Sequence, residues 1–102
     1  MARFVKVATR SEIPEGSAKC IEVGVDRIAI FNLGGSLYAI DDDCTHAGGS
    51  LSEGEIEGDE VVCPLHGSCF KISTGEAMSP PASDSVATHS VRLNGDDIEV
   101  EI

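Results

Sequence analysis

Tryptophan is absent from this chain, and Tyr38 is its one tyrosine. No apolar run approaches the ~20 residues needed to span a bilayer as a helix; Ile28 to Phe31 is far too short. Basic residues are scarce: 7 Lys and Arg face 18 Asp and Glu, a formal net charge of −11. Nucleic acids and anionic membrane surfaces need a positive footprint, so neither is expected as a partner. The stretch from Met1 to Lys6 lacks the apolar segment of a secretory signal. Helical periodicity, repeats and low-complexity tracts are missing too. These absences leave one soluble, cytoplasmic domain over residues 1–102, with 41% apolar residues to build a core without disulfide staples. In a reducing compartment Cys20 and Cys69 are expected as thiols rather than a disulfide. Cys20 is expected to act as a small buried hydrophobe.

What is present is β-patterning. Phe4 to Ala8 alternates apolar and polar residues, and Ala18 to Val23 is a second strand candidate. Val25 to Leu33 is the strongest. Ile28 and Ile30 point one way and Ala29, Phe31 and Leu33 the other, so both sides are apolar and the strand belongs inside a sandwich or barrel. Gly34-Gly35 predicts a tight turn into Ser36 to Ile40. Short strands are predicted at Glu55-Ile56, Glu60 to Val62 and Cys69 to Ile72. Val86 to Leu93 and Ile98 to Ile102 are read as strands around Asn94-Gly95, a strong hairpin signal. Histidine at 89, far in sequence from the other two, is read as a surface or partly packed residue. The fold class is all-β: an antiparallel sandwich or barrel base from residues 1–42 and 75–102, with 43–74 inserted as a small subdomain.

That insert carries two matched pairs, Cys44 with His46 and Cys63 with His66. Thiolate and imidazole suit soft and borderline metals. Two Cys and two His fit a tetrahedral zinc or a [2Fe–2S] cluster with mixed ligation. Zinc fingers usually place both Cys in one short element and both His in another. Here each loop offers one of each, which favours two irons. Gly48, Gly49 and Gly67 follow the ligands and permit close backbone approach.

Cys44-Thr45-His46 followed by Cys63-Pro64-Leu65-His66-Gly67-Ser68 resembles the Rieske [2Fe–2S] signature. The likeness extends through Phe70 and Thr74-Gly75 to Ser79-Pro80-Pro81, and with the strand pattern covers nearly the whole chain. The resemblance implies a Rieske-type fold with one [2Fe–2S] cluster. Cys44 and Cys63 would bind the inner iron, His46 and His66 the outer. It also implies supporting roles for Ser68, Gly48 and Gly67, and a proline loop at Pro80 and Pro81 covering one side of the cluster. High-potential members carry an extra Cys in each ligand loop, where this chain has Gly49 and Leu65, and a Tyr where it has Phe70. A potential toward the negative end of the Rieske range, roughly −150 to +300 mV, is therefore expected.

No open coordination position, Ser/His/Asp set or phosphate loop is visible, so the isolated chain is expected to carry electrons rather than catalyse. It most resembles the ferredoxin component of bacterial ring-hydroxylating dioxygenase systems. The implied partners are a flavoprotein reductase and the Rieske centre of a terminal oxygenase. The alternatives are the small subunit of an assimilatory nitrite reductase, a zinc-binding interaction module and a redox sensor. From Asp41 to Glu60 there are eight acids and no Lys or Arg. That run reads equally as a solvated face or as a steering surface for a basic protein.

Overall fold

The computed structural model describes residues 3–24, 26–43, 49–64, 67–78 and 85–101. Among the described residues, ten strands form three antiparallel sheets. The strands are β1 (Phe4–Thr9), β2 (Ser17–Val23), β3 (Asp26–Leu33), β4 (Ser36–Asp41), β5 (Glu55–Glu57), β6 (Glu60–Val62), β7 (Cys69–Lys71), β8 (Thr88–His89), β9 (Val91–Asn94) and β10 (Asp97–Glu101). The terminal sheet has the order β1-β10-β9, the central sheet β2-β3-β4-β8, and the third sheet β5-β6-β7. Among the described residues, helical structure is confined to two 3₁₀ turns, Arg10–Glu12 and Leu51–Glu53.

The apolar alternation of β3 decides the layering. Side chains on successive strand residues point to opposite faces. Ile28 and Ile30 enter a core with Ala8, Ile13, Ile21, Ala39, Ile98 and Val100, between the central and terminal sheets. Ala29 and Phe31 enter another with Ile40, Leu51, Val61, Cys63, Phe70, Ile72 and Val86, between the central and third sheets. The central sheet is thus a middle layer with a core on each side; the two apolar faces of β3 predicted a strand inside a sandwich or barrel, and the third sheet adds a further layer. Phe31 and Phe70 are fully buried, and burying one such side chain is worth about 1.5–3 kcal/mol.

The β3–β4 hairpin turns at Gly34-Gly35, with Leu33 opposite Ser36. Both glycines have positive φ, 60° and 94°, which a two-residue hairpin turn of this hand requires. The β9–β10 turn differs from expectation. Asn94 pairs with Asp97, so the central residues are Gly95 and Asp96, and only Gly95 has positive φ, at 64°. Ile98 and Val100 are buried as the alternation required; Ile102 lies outside the described residues.

The single strand expected over Val86 to Leu93 is two. Thr88–His89 pairs with β4 of the central sheet, and Val91–Asn94 pairs with β10 of the terminal sheet. Val86 is committed to one core and Val91 packs on the other. The chain must cross between sheets, and Ser90 is where it does so. Cys20 is also not the buried hydrophobe expected. It is half-buried on β2, its thiol beside Arg27 and Asp42; burial, then the Asp42 charge, pushes that thiol up from its ordinary value. Cys69 lies on a different sheet, and the two are not joined.

Candidate metal centre

The second ligand loop connects β6 to β7. Val62 pairs with Cys69 at the end of the ladder. Beyond it, the Cys63 N–H donates to the Ser68 carbonyl (2.7 Å) and the Gly67 N–H to the Cys63 carbonyl (3.0 Å). Gly67 has φ of 75°, and a Cβ there would meet open space among its neighbours. Its conformation is therefore what demands glycine here, beside any close approach. Cys63 is 1% exposed and Ser68 fully buried, while Pro64 is exposed. Cys63 also lines a recess of about 360 Å³ with Glu53, Gly54, Glu55, Val62, Pro64 and Gly67. Gly54 allows the close packing here: a Cβ would lie 2.0 Å from the Val62 carbonyl oxygen.

The first ligand loop is described at its two stems. Asp43 bridges Ser50, and the Leu51 N–H donates to the Asp42 carbonyl at 2.7 Å. The Asp42 carboxylate is fully buried. It accepts from the Ser50 hydroxyl at 2.5 Å and the Ser52 N–H at 2.8 Å. Arg27 reaches Asp42 with one nitrogen and Asp43 with another, both at 3.3 Å. Burial alone would raise the Asp42 carboxyl. The Ser50 hydroxyl, the Ser52 N–H and hydroxyl, and the Cys20 thiol outweigh it and hold the group below its ordinary value.

Leu51, from the first stem, and Cys63, from the second, share one apolar cluster with Val61 and Phe70. The two loops therefore rise from one piece of core. Of the predicted site residues, Cys63, Gly67 and Ser68 are placed in this way. Cys44, His46, Gly48, His66, Pro80 and Pro81 lie outside the described residues, as does Leu65, while Gly49 is buried at the first stem. A cysteine buried at the root of a short loop, with its neighbours closed by backbone hydrogen bonds, offers the sulfur ligand that soft and borderline metals take. Cys63 thus fits a cluster ligand.

The acidic run is not uniform. Asp42 is buried and Asp41 meets His89 Nε2 at 2.7 Å, while Glu53, Glu55, Glu57 and Asp59 are exposed. Asp42 and its partner Arg27 escaped the sequence reading. The signal was there: a period of two from buried Ile40 puts Asp42 on the same face. A larger recess, about 620 Å³, lies beside His89, Tyr38 and Ile72. No cysteine lines it, so it is not where Cys63 would hold a metal.

Residues 3–90 match the family model of the Rieske [2Fe-2S] domain, and the chain belongs to that family. It is 43% identical over 93 residues to the 3-phenylpropionate/cinnamic acid dioxygenase ferredoxin subunit of Escherichia coli strain K12, covering 90% of this chain and 87% of that one. The ferredoxin of carbazole 1,9a-dioxygenase from Nocardioides aromaticivorans IC177 superimposes with a TM-score of 0.90 at 31% identity, covering 95% of each chain. A nitrite reductase small subunit from Mycobacterium tuberculosis shares the fold at 19% identity, TM-score 0.87, covering 100% of this chain and 96% of that one.

Proposed function

We propose that this chain is a one-electron carrier that takes electrons from a flavoprotein reductase and delivers them to the Rieske centre of a terminal aromatic-ring-hydroxylating oxygenase. Cys44 and Cys63 hold one iron of a [2Fe–2S] cluster, and His46 and His66 the other. The observation that carries this reading is the shared core under both loop stems, Leu51 and Cys63 on one apolar cluster, within a chain of the Rieske family. A cluster held by these four residues would supply one-electron exchange, at a potential raised by its two neutral imidazoles. The chain's own residues fix the ligands: the Cys63–Ser68 and Gly67–Cys63 hydrogen bonds close one neck, and Asp42 with Ser50 and Ser52 closes the other. Ser68 is a candidate hydroxyl donor toward sulfur, and Pro80 and Pro81 a cover that excludes water.

We read residues 1–42 and 75–102 as the base and 43–74 as the cluster-binding part; one apolar cluster takes Phe31, Ile40 and Val86 from the former and Leu51, Val61 and Phe70 from the latter. Six of the seven Lys and Arg lie outside residues 28–91, where Lys71 stands against ten acids. Exposed Glu53, Glu55, Glu57 and Asp59 then steer a basic docking face toward the cluster end. No described helix is long and apolar enough to cross a membrane, and we place the carrier in the cytoplasm with its reductase.

Relatives of 43% identity are dioxygenase ferredoxin subunits, whereas the nitrite reductase likeness is one of fold. The ferredoxin role is therefore preferred. The test is iron and sulfide content with the EPR spectrum of the dithionite-reduced protein. A mixed nitrogen–sulfur [2Fe–2S] signal is expected; a colourless zinc form or an all-thiolate signal overturns the reading.

A further inference from the structure

We propose that Arg27 and Asp42 form a charge clamp that positions the first ligand loop and sets the potential of the centre it carries. The proposal rests on Cys44 and His46 being ligands. Asp42 is fully buried, and a buried carboxylate without a partner is costly. Arg27 supplies the counter-charge from the start of β3, 3.3 Å from Asp42 and 3.3 Å from Asp43. Its backbone carbonyl also accepts the Asp42 N–H at 2.9 Å. Across the loop, the same carboxylate takes the Ser50 hydroxyl and the Ser52 N–H. One buried group thus ties β3 to both ends of the loop. Arg27 and Asp42 are positioning residues rather than ligands.

Two residues of chain extend no more than about 7 Å, so Cys44 is bound closely to whatever Asp42 does. At the second loop the Cys63 and Gly67 N–H groups close the described neck through backbone hydrogen bonds. Net charge near an iron–sulfur cluster moves its potential. Losing the Arg27 charge leaves Asp42 uncompensated, which favours the oxidised, more positive state and lowers the potential. Losing the Asp42 charge leaves Arg27 and raises it. Removing both returns it toward the starting value.

The experiment compares holo-protein of wild type, Arg27→Gln, Asp42→Asn and the double variant by redox titration. Half-life of the visible absorbance reports cluster loss, and far-ultraviolet circular dichroism checks folding. Arg27→Gln is expected to lower the midpoint and to speed cluster loss roughly fivefold or more, since Arg27 leaves a buried charge unpaired. Asp42→Asn is expected to raise the midpoint, and the double variant to lie between the two. Shifts of the same sign in both single variants, or unchanged potentials, overturn the clamp. Should Asp42→Asn fail to fold, Arg27→Lys decides: it keeps the charge and must sit closer to wild type in potential than Arg27→Gln, and equality of the two overturns the proposal. Failure of the ligand assignment shows separately, in a wild-type protein without a nitrogen-ligated signal.

Discussion

The necks of the two ligand loops are closed by different chemistry. The first depends on side chains far apart in sequence: Arg27 from β3, Asp42 after β4, and Ser50 and Ser52 beyond the loop. The second is closed by the backbone N–H groups of Cys63 and Gly67 and by the positive φ of Gly67. A short hairpin loop can close itself, because its ends are already neighbours on β6 and β7. The first loop leaves the end of β4, inside the central sheet, and returns to a 3₁₀ turn, so only the isolated Asp43–Ser50 bridge lies at its neck. A buried carboxylate there replaces the missing ladder.

The largest expected effect comes from removing what the necks share. Phe70→Ala empties the cluster that holds both Leu51 and Cys63 and should cost about 3–5 kcal/mol, read by chemical denaturation; loss below 1 kcal/mol would mean the two stems are not mutually supported. Next, Gly67→Ala places a Cβ at φ of 75° and should cost about 1–2 kcal/mol. Its damage should fall on cluster retention by the second loop while the Arg27–Asp42 network remains. The midpoint potential of the wild type should lie below about +100 mV, and Ser68→Ala should move it lower still, as a redox titration would show.

The smallest effect concerns an exposed counterpart of the buried Asp42. Glu12, on the 3₁₀ turn after β1, is held at about 2, below its ordinary value of 4.5, by the Lys19 ammonium first and then by the Thr9 backbone and hydroxyl. A carboxyl depressed on folding contributes stability above its unfolded value, and that contribution is lost as pH falls toward the folded one. Glu12→Gln should therefore lower Tm slightly at neutral pH, with the gap to wild type closing between pH 4.5 and pH 2. High salt should also narrow it, since the pair is exposed.

Much of this was legible in the sequence because it rests on local pattern. The two apolar faces of Ile28 to Phe31 foretold a strand covered on both sides, and the Cys/His pairs foretold a centre within the Rieske family. Other features rest on long-range partners. Alternation from Ile40 puts Asp42 on the buried face, but the partners that make its burial possible, Arg27, Ser50 and Ser52, are distant in sequence. The break at Ser90 follows from a choice between two sheets, which alternation over Val86 to Leu93 does not reveal. The turn at Gly95-Asp96 was displaced by one residue because the Asn94–Asp97 pairing is fixed by the register of Ile98 and Val100.

The double-faced β3 also bears on how the molecule comes apart. One strand is floor to one core and ceiling to the other, so neither chamber can open without exposing the far side of the same wall. Residues 43–74 cut out by themselves would leave Phe70 and Leu51 with no Phe31 to cover them. Loss of the electron-carrying end and melting of the scaffold should accordingly be one event.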